Sequence, residues 1–208
     1  MDQNEALKLL KKSESRFNEH YKDKPIDLSF TDMSGMKIKK AVLVNANMTG
    51  ADLTKTQFIR CDLTGANLSN THLNKTRFEL STMERIKIIK TELNKAHFRI
   101  SSIKESDMHE SVFNECEFYK INIGQSNLNK TIFNKGYFYK SEVQGCGIRE
   151  GSMTEIVIND TNFMDSDLTD SRVQGEIMES SHFGGAILVR ADFLNTACYC
   201  PTPFAFCL

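Results

Sequence analysis

Three of the six cysteines lie in the last fourteen residues, NTACYCPTPFAFCL, at Cys198, Cys200 and Cys207. Thiolates bind soft metals and enter redox or nucleophilic chemistry. The spacing C-x-C-x6-C offers three soft ligands for Cu(I) or Zn(II), one short of a tetrahedral protein set, so no metal is assigned. Thr196 and Thr202 add hydroxyls to the same stretch, and the bonds Cys200-Pro201 and Thr202-Pro203 disfavour helix and favour an extended chain. The five histidines do not cluster: His72, His97 and His182 precede an apolar position, and His109 follows one. No Ser-His-Asp arrangement, Gly-rich phosphate loop or CxxC pair is present. The chain therefore reads as non-catalytic, with no cofactor implied.

The elements that must position these groups are set by a repeat. Stepping by five from Leu28 to Phe193 gives 34 consecutive apolar residues. A period of five suits neither a helix nor a simple strand, but it suits a chain that turns a corner every five residues. The residue two before each apolar centre is mostly small, as at Ala41, Ala46, Ala51, Thr56 and Ala66. Cys61, Cys116 and Cys146 occupy this small position, so they are expected to be buried equivalents of Ala or Ser with inert thiols. Glu176 also falls on a small inward position, which predicts a local distortion or a carboxyl satisfied by backbone.

The copies ANMTG (46–50), ADLTK (51–55) and ANLSN (66–70) resemble the pentapeptide-repeat family, whose motif is Ala-Asp/Asn-Leu-X-X. The resemblance spans residues 26–195. It implies an all-β solenoid, a right-handed quadrilateral β-helix with four repeats per coil. Such a rod, about 8.5 coils at roughly 4.8 Å each, is ~40 Å long. Residues 1–25 form the expected N-terminal helical cap, because Leu7, Leu10, Phe17 and Tyr21 fall at helical spacing and Pro25 ends the run. Residues 196–208 are the Cys-rich C-terminal tail.

Charge bounds the partners. The net charge is −1, which predicts no direct nucleic-acid or membrane partner. No apolar stretch approaches the roughly 18 residues of a membrane span, and the N-terminus lacks a signal-peptide core. The expected location is cytoplasmic, with reduced thiols. Residues 25–100 carry 12 cations and 7 anions, whereas residues 101–195 carry 8 and 15. If residues twenty apart stack, Lys90, Glu110, Lys130 and Glu150 form one alternating column, and Arg85 lies over Glu105. Lys55, Lys75 and Lys95 form a like-charged run, a possible anion-facing stripe.

Three functions fit. The layout, a long folded region before a short Cys- and Thr-rich end, resembles a ribosomally made peptide precursor. That resemblance implies a leader-like recognition domain, with partner enzymes modifying Cys198, Cys200, Cys207, Thr196 or Thr202. Some pentapeptide-repeat proteins resemble a B-DNA rod and bind type II topoisomerases, and FIRCDLTGANLSNTHL is similar to them; this implies a gyrase-protecting or immunity role. Alternatively Tyr199, Phe204, Phe206 and Leu208 only plug the open last coil. A monomer or an end-to-end dimer is expected.

Overall fold

The computed structural model describes residues 3–193 and 198–199. The chain forms a parallel β-solenoid whose ladder residues pair twenty positions apart, with one register shift between β-strands near position 175. One ladder runs from Asp27 through Asn47, Asn67 and Lys87 to Ile187. The period of twenty is four five-residue sides, numbered here from the side centred on Leu28.

The strands are short: β1 (Lys37–Lys39), β2 (Gln57–Ile59), β3 (Arg77–Glu79), β4 (Glu92–Asn94), β5 (His97–Arg99) and β6 (Val112–Asn114). They continue as β7 (Glu117–Tyr119), β8 (Ile132–Asn134), β9 (Tyr137–Tyr139), β10 (Ser152–Asn159), β11 (Arg172–Glu179) and β12 (Cys198–Tyr199). β1, β2, β3, β5, β7 and β9 stack in parallel on the third side; β4, β6 and β8 stack on the second.

The repeat produces this fold through four local devices. The apolar centres point inward and are buried throughout the coils, with Leu188 and Phe193 only partly covered at the end. On the third side Phe58, Phe78, Phe98, Phe118 and Phe138 stack, with ring centroids 5.2, 5.1, 5.0 and 4.4 Å apart. The small position also points inward, and its hydroxyls bond a carbonyl of the coil below: Thr56 to Met33 at 2.7 Å and Thr76 to Leu53 at 2.8 Å. Asp or Asn before the centre accepts from the backbone N–H two residues on, as Asp52 does from Thr54 at 2.9 Å and Asn67 from Ser69 at 3.1 Å. This Asx turn explains the Asp/Asn preference. Every fifth residue turns the corner at positive φ, from Phe30 at 55° to Arg190 at 54°. Left-handed backbone is uncommon away from Gly, and rarer still for a β-branched residue such as Ile100 at 49°. Corner N–H groups bond the coil above, as Lys75 does to the Asn94 carbonyl at 2.8 Å, so the ladder holds the strained backbone in place.

Position 175 breaks the corner rule. Between β10 and β11 the pairing runs Thr154 to Gln174, Ile156 to Gly175 and Val157 to Ile177. Buried Gly175 faces Ile156, where an added Cβ would come within 2.9 Å of the Ile156 carbonyl oxygen. The distortion expected at Glu176 is thus a register shift that seats a glycine at the crowded point.

The expected helical cap is present and consists of two short helices. α1 (Gln3–Lys12) and α2 (Glu14–His20) break at Ser13, whose hydroxyl caps α2 by accepting from the Arg16 N–H at 3.4 Å. Ala6, Leu10, Phe17 and Tyr21 are buried, while Leu7 is only partly covered, with Ala6 taking the inward place on α1. Asn18 clamps the cap to the rod: its amide donates to the Lys40 carbonyl and its oxygen accepts from the Val42 N–H, each at 2.9 Å.

Candidate functional site

The inward cysteines sit as expected. Cys61, Cys116 and Cys146 are buried and free of disulfides. Each thiol donates to the carbonyl that a Ser or Thr reaches elsewhere: Cys61 to Ile38 at 3.5 Å, Cys116 to Leu93 at 3.4 Å and Cys146 to Ile123 at 3.2 Å. Burial raises all three thiol pKa values, that of Cys116 to about 12 and that of Cys146 to about 11. They act as hydroxyl equivalents within the wall, with no thiolate at neutral pH.

The tail begins differently from the expectation. Cys198 was expected outside the rod, but β12 pairs in parallel with β11, Met178 opposite Cys198 and Glu179 opposite Tyr199. Cys198 is five residues beyond Phe193, so it holds the next centre of the register. A search for large apolar centres alone passes over it. Thr196, Cys200, Thr202 and Cys207 lie outside the described residues. Among the described residues, no three His, Cys, Asp or Glu side chains gather to hold a metal ion. No helix there is long and apolar enough to cross a membrane.

The corner columns carry the ion pairs that the twenty-residue stacking predicts. Lys90 meets Glu110 at 3.6 Å, Lys130 meets Glu150 at 3.6 Å, Lys135 meets Glu155 at 3.7 Å and Arg85 meets Glu105 at 3.8 Å. Lys95 pairs with Glu115 at 3.2 Å, so only Lys55 and Lys75 of the like-charged run stand without a carboxylate within 4.0 Å among the described residues. Two histidines also have carboxylate neighbours: His97 with Glu117 at 2.8 Å and His109 with Asp107 at 2.6 Å.

A less obvious feature is the outer surface of the third side with its two corners. It collects Lys37, Lys39, Lys40, Lys55, Arg60, Lys75, Arg77, Arg99, Lys120 and Lys140, all exposed. None has a carboxylate within 4.0 Å among the described residues. Against them the flat offers Glu79, Glu117 and Glu179, with Glu117 bonded to His97, and the corners carry Glu115 and Glu155, paired with Lys95 and Lys135, and Asp160 beyond Lys140. Tyr119, Tyr139 and Tyr137 lie on the same side: Tyr119 stacks on Tyr139 at 5.5 Å, and Tyr137 on Tyr139 at 6.0 Å. Cations flank the rings, Arg99 and Lys120 each 5.4 Å from the Tyr119 centroid and Lys140 5.2 Å from that of Tyr139. The Tyr139 hydroxyl holds the Lys140 ammonium pKa above its usual value, and burial raises that of the Tyr137 phenol. Beside this strip the corner residues Leu80 and Ile100 are 41% and 47% exposed. They line a shallow groove with Lys120 and Lys140.

Sequence inspection found the Lys55–Lys75 edge of this surface and missed the rest. The signal was present at the same offset of twenty, in the outward positions Arg77, His97, Glu117, Tyr137 and Arg99, Tyr119, Tyr139.

Comparison with known proteins agrees with the geometry. A family model described as a pentapeptide repeat region matches residues 51–128, and one for pentapeptide repeats in eight copies matches residues 26–65. No curated protein sequence matches significantly. Among solved structures, the chain is similar to HetL, a pentapeptide repeat protein involved in heterocyst differentiation regulation from the cyanobacterium Nostoc sp. strain PCC 7120. The identity is 16%, the TM-score 0.55, and the match covers 88% of this chain and 95% of that one. It is also similar to full-length QnrB1, a plasmid-mediated fluoroquinolone resistance protein, at 18% identity and TM-score 0.54, covering 84% of this chain and 92% of that one. At such identities the likeness speaks to the fold. With the family models, the unbroken register of five and the four-sided parallel coil together, the chain belongs to the pentapeptide-repeat proteins.

Proposed function

We propose that this chain is a non-catalytic recognition scaffold of the cytoplasm that docks a protein partner along the side of its rod. The observation that carries this reading is the third side, where unpaired cations, stacked tyrosines and exposed aliphatic corners form one continuous outer surface on a rigid framework. Tyrosine and arginine are the residues protein interfaces favour, here Tyr119, Tyr137, Tyr139, Arg60, Arg77 and Arg99, and the lysines around them supply charge that steers an acidic partner. No acid, base and nucleophile converge on it, which supports a binding role over a chemical one.

The partner is a protein, and two kinds follow from the sequence. A type II topoisomerase is supported by the fold shared with the fluoroquinolone resistance protein QnrB1. Mimicry of DNA needs an acidic surface, so on this reading the acidic C-terminal half would make the contact and not the basic side. A modifying enzyme acting on the Cys-rich tail is the other kind. The pairing of Cys198 in β12 counts against a core segment that begins free of the rod, and supports the tail's first residues as an end cover.

Photo-crosslinkers placed singly on each of the four sides in the native host test the scaffold. A protein adduct at one side is expected; absence of adducts at every side sinks it. Inhibition or protection of gyrase in a supercoiling assay selects the topoisomerase, and a mass change confined to residues 196–208 selects the modifying enzyme.

A further inference from the structure

We infer that the basic third side is a docking surface for an acidic polypeptide segment with interspersed apolar residues, lying along the stack from β2 to β9. This rests on the scaffold reading and names the class of partner.

The first ground is unrelieved repulsion. Rungs lie about 4.8 Å apart, and like charges facing each other across a pair destabilise it. Elsewhere the chain removes that cost by alternating sign, as in Lys90–Glu110 and Lys130–Glu150. On the third side it does not: Lys40 and Arg60 follow one another on one corner, then Lys120 and Lys140. Carboxylates from a partner relieve the Lys120–Lys140 pair and neutralise Arg60. The stack spans four rung intervals from β2 to β9, ~19 Å, which suits an extended segment of about six residues at ~3.3 Å each.

The second ground separates an acidic polypeptide from a nucleic acid. Glu79 and Glu117 lie in the middle of the side and would oppose a continuous phosphate chain. The tyrosines already stack on one another with cations at 5.2 to 5.4 Å, so they offer no open platform for bases. Leu80 and Ile100 interrupt the cations with exposed aliphatic surface that only an apolar side chain complements. A partner alternating carboxylates with Leu or Phe fits all three features.

The test uses the full-length protein and two fluorescent probes: a synthetic peptide of Glu and Asp with interspersed Leu and Phe, and single-stranded oligo(dT). Anisotropy is read at about 50 and about 300 mM salt. The peptide is expected to bind, more weakly at high salt. Arg60→Glu/Lys120→Glu/Lys140→Glu is expected to weaken it about tenfold or more, because reversed charges across an interface repel. The control Lys87→Glu/Lys104→Glu, on other sides, changes affinity less than about twofold. Leu80→Ser/Ile100→Ser lowers the affinity that survives at high salt. If thermal melts show the triple variant unfolded, Lys120→Gln/Lys140→Gln replaces it. Equal loss in the control, no peptide binding, or tighter binding of oligo(dT) lost in the triple variant each overturns the inference. Crosslinked protein on another side, without peptide binding here, sinks this surface and leaves the scaffold intact.

Discussion

Two columns of the same rod solve the same electrostatic problem in opposite ways. Both consist of positions that the twenty-residue coil forces into register. In the column Lys90–Glu110–Lys130–Glu150 the signs alternate and each cation has a carboxylate within 3.6 Å. In the corner column Lys40, Arg60, Leu80, Ile100, Lys120, Lys140 the cations are separated only by aliphatic residues, with no carboxylate until Asp160. A repeat fold amplifies any choice made once, because each side chain meets its own counterpart on the next rung. Where the chain neutralises itself, the surface serves folding; where it keeps like charge, the surface is left for something outside the chain.

The largest expected effect comes from the core beneath one of them. Phe98→Ala takes the middle ring from the stack beneath the basic side and is expected to cost about 3–5 kcal/mol, read by denaturant unfolding. A much smaller loss would mean that the inner stack does not carry the outer surface. Next comes truncation after Asn195. It deletes β12 and uncovers the Met178–Glu179 edge, so the melting temperature should fall by several degrees. An unchanged melt would show that this rung adds nothing.

The charge contrast itself is smaller. Lys130→Glu puts four acids in succession, from Glu110 to Asp170, and should destabilise by about 0.3–1 kcal/mol. Lys75→Glu, in the like-charged run between Lys55 and Lys95, should stabilise slightly, by a few tenths. Equal signs for the two reversals would erase the distinction.

The smallest effect concerns acid. Hydrogen bonds from Ser29 hold the Asp27 carboxyl below its ordinary 3.8, those from Thr169 do so for Asp167, and the Arg190 guanidinium does so for Asp170. A carboxylate whose pKa is lower folded than unfolded stabilises above the unfolded value. That stability fades as pH falls through the folded value. A pH series of melts should therefore decline gently only below about pH 4. Loss beginning near neutrality would point to histidines instead.

Much of the fold was legible because a five-residue period leaves few alternatives. The unbroken inward register from Leu28 to Phe193 dictates a corner at every fifth residue, and the small position decides that Cys61, Cys116 and Cys146 are buried. The alternating corner pairs followed as soon as a coil of four repeats was assumed. These are local or strictly periodic facts, and periodicity turns one-dimensional spacing into neighbourhood. What only the tertiary structure decided lies where the period is broken or where columns meet across a corner. The cap divides at Ser13 into two helices; Gly175 takes the place facing Ile156; and Cys198 continues the ladder that apolar centres alone had closed. The basic side exists because Lys55 and Lys75 on one corner, Arg77, Arg99 and the tyrosines on the flat, and Lys120 and Lys140 on the next corner share one outer surface. Each column is readable in the sequence, but which columns adjoin is set by the closing of the coil.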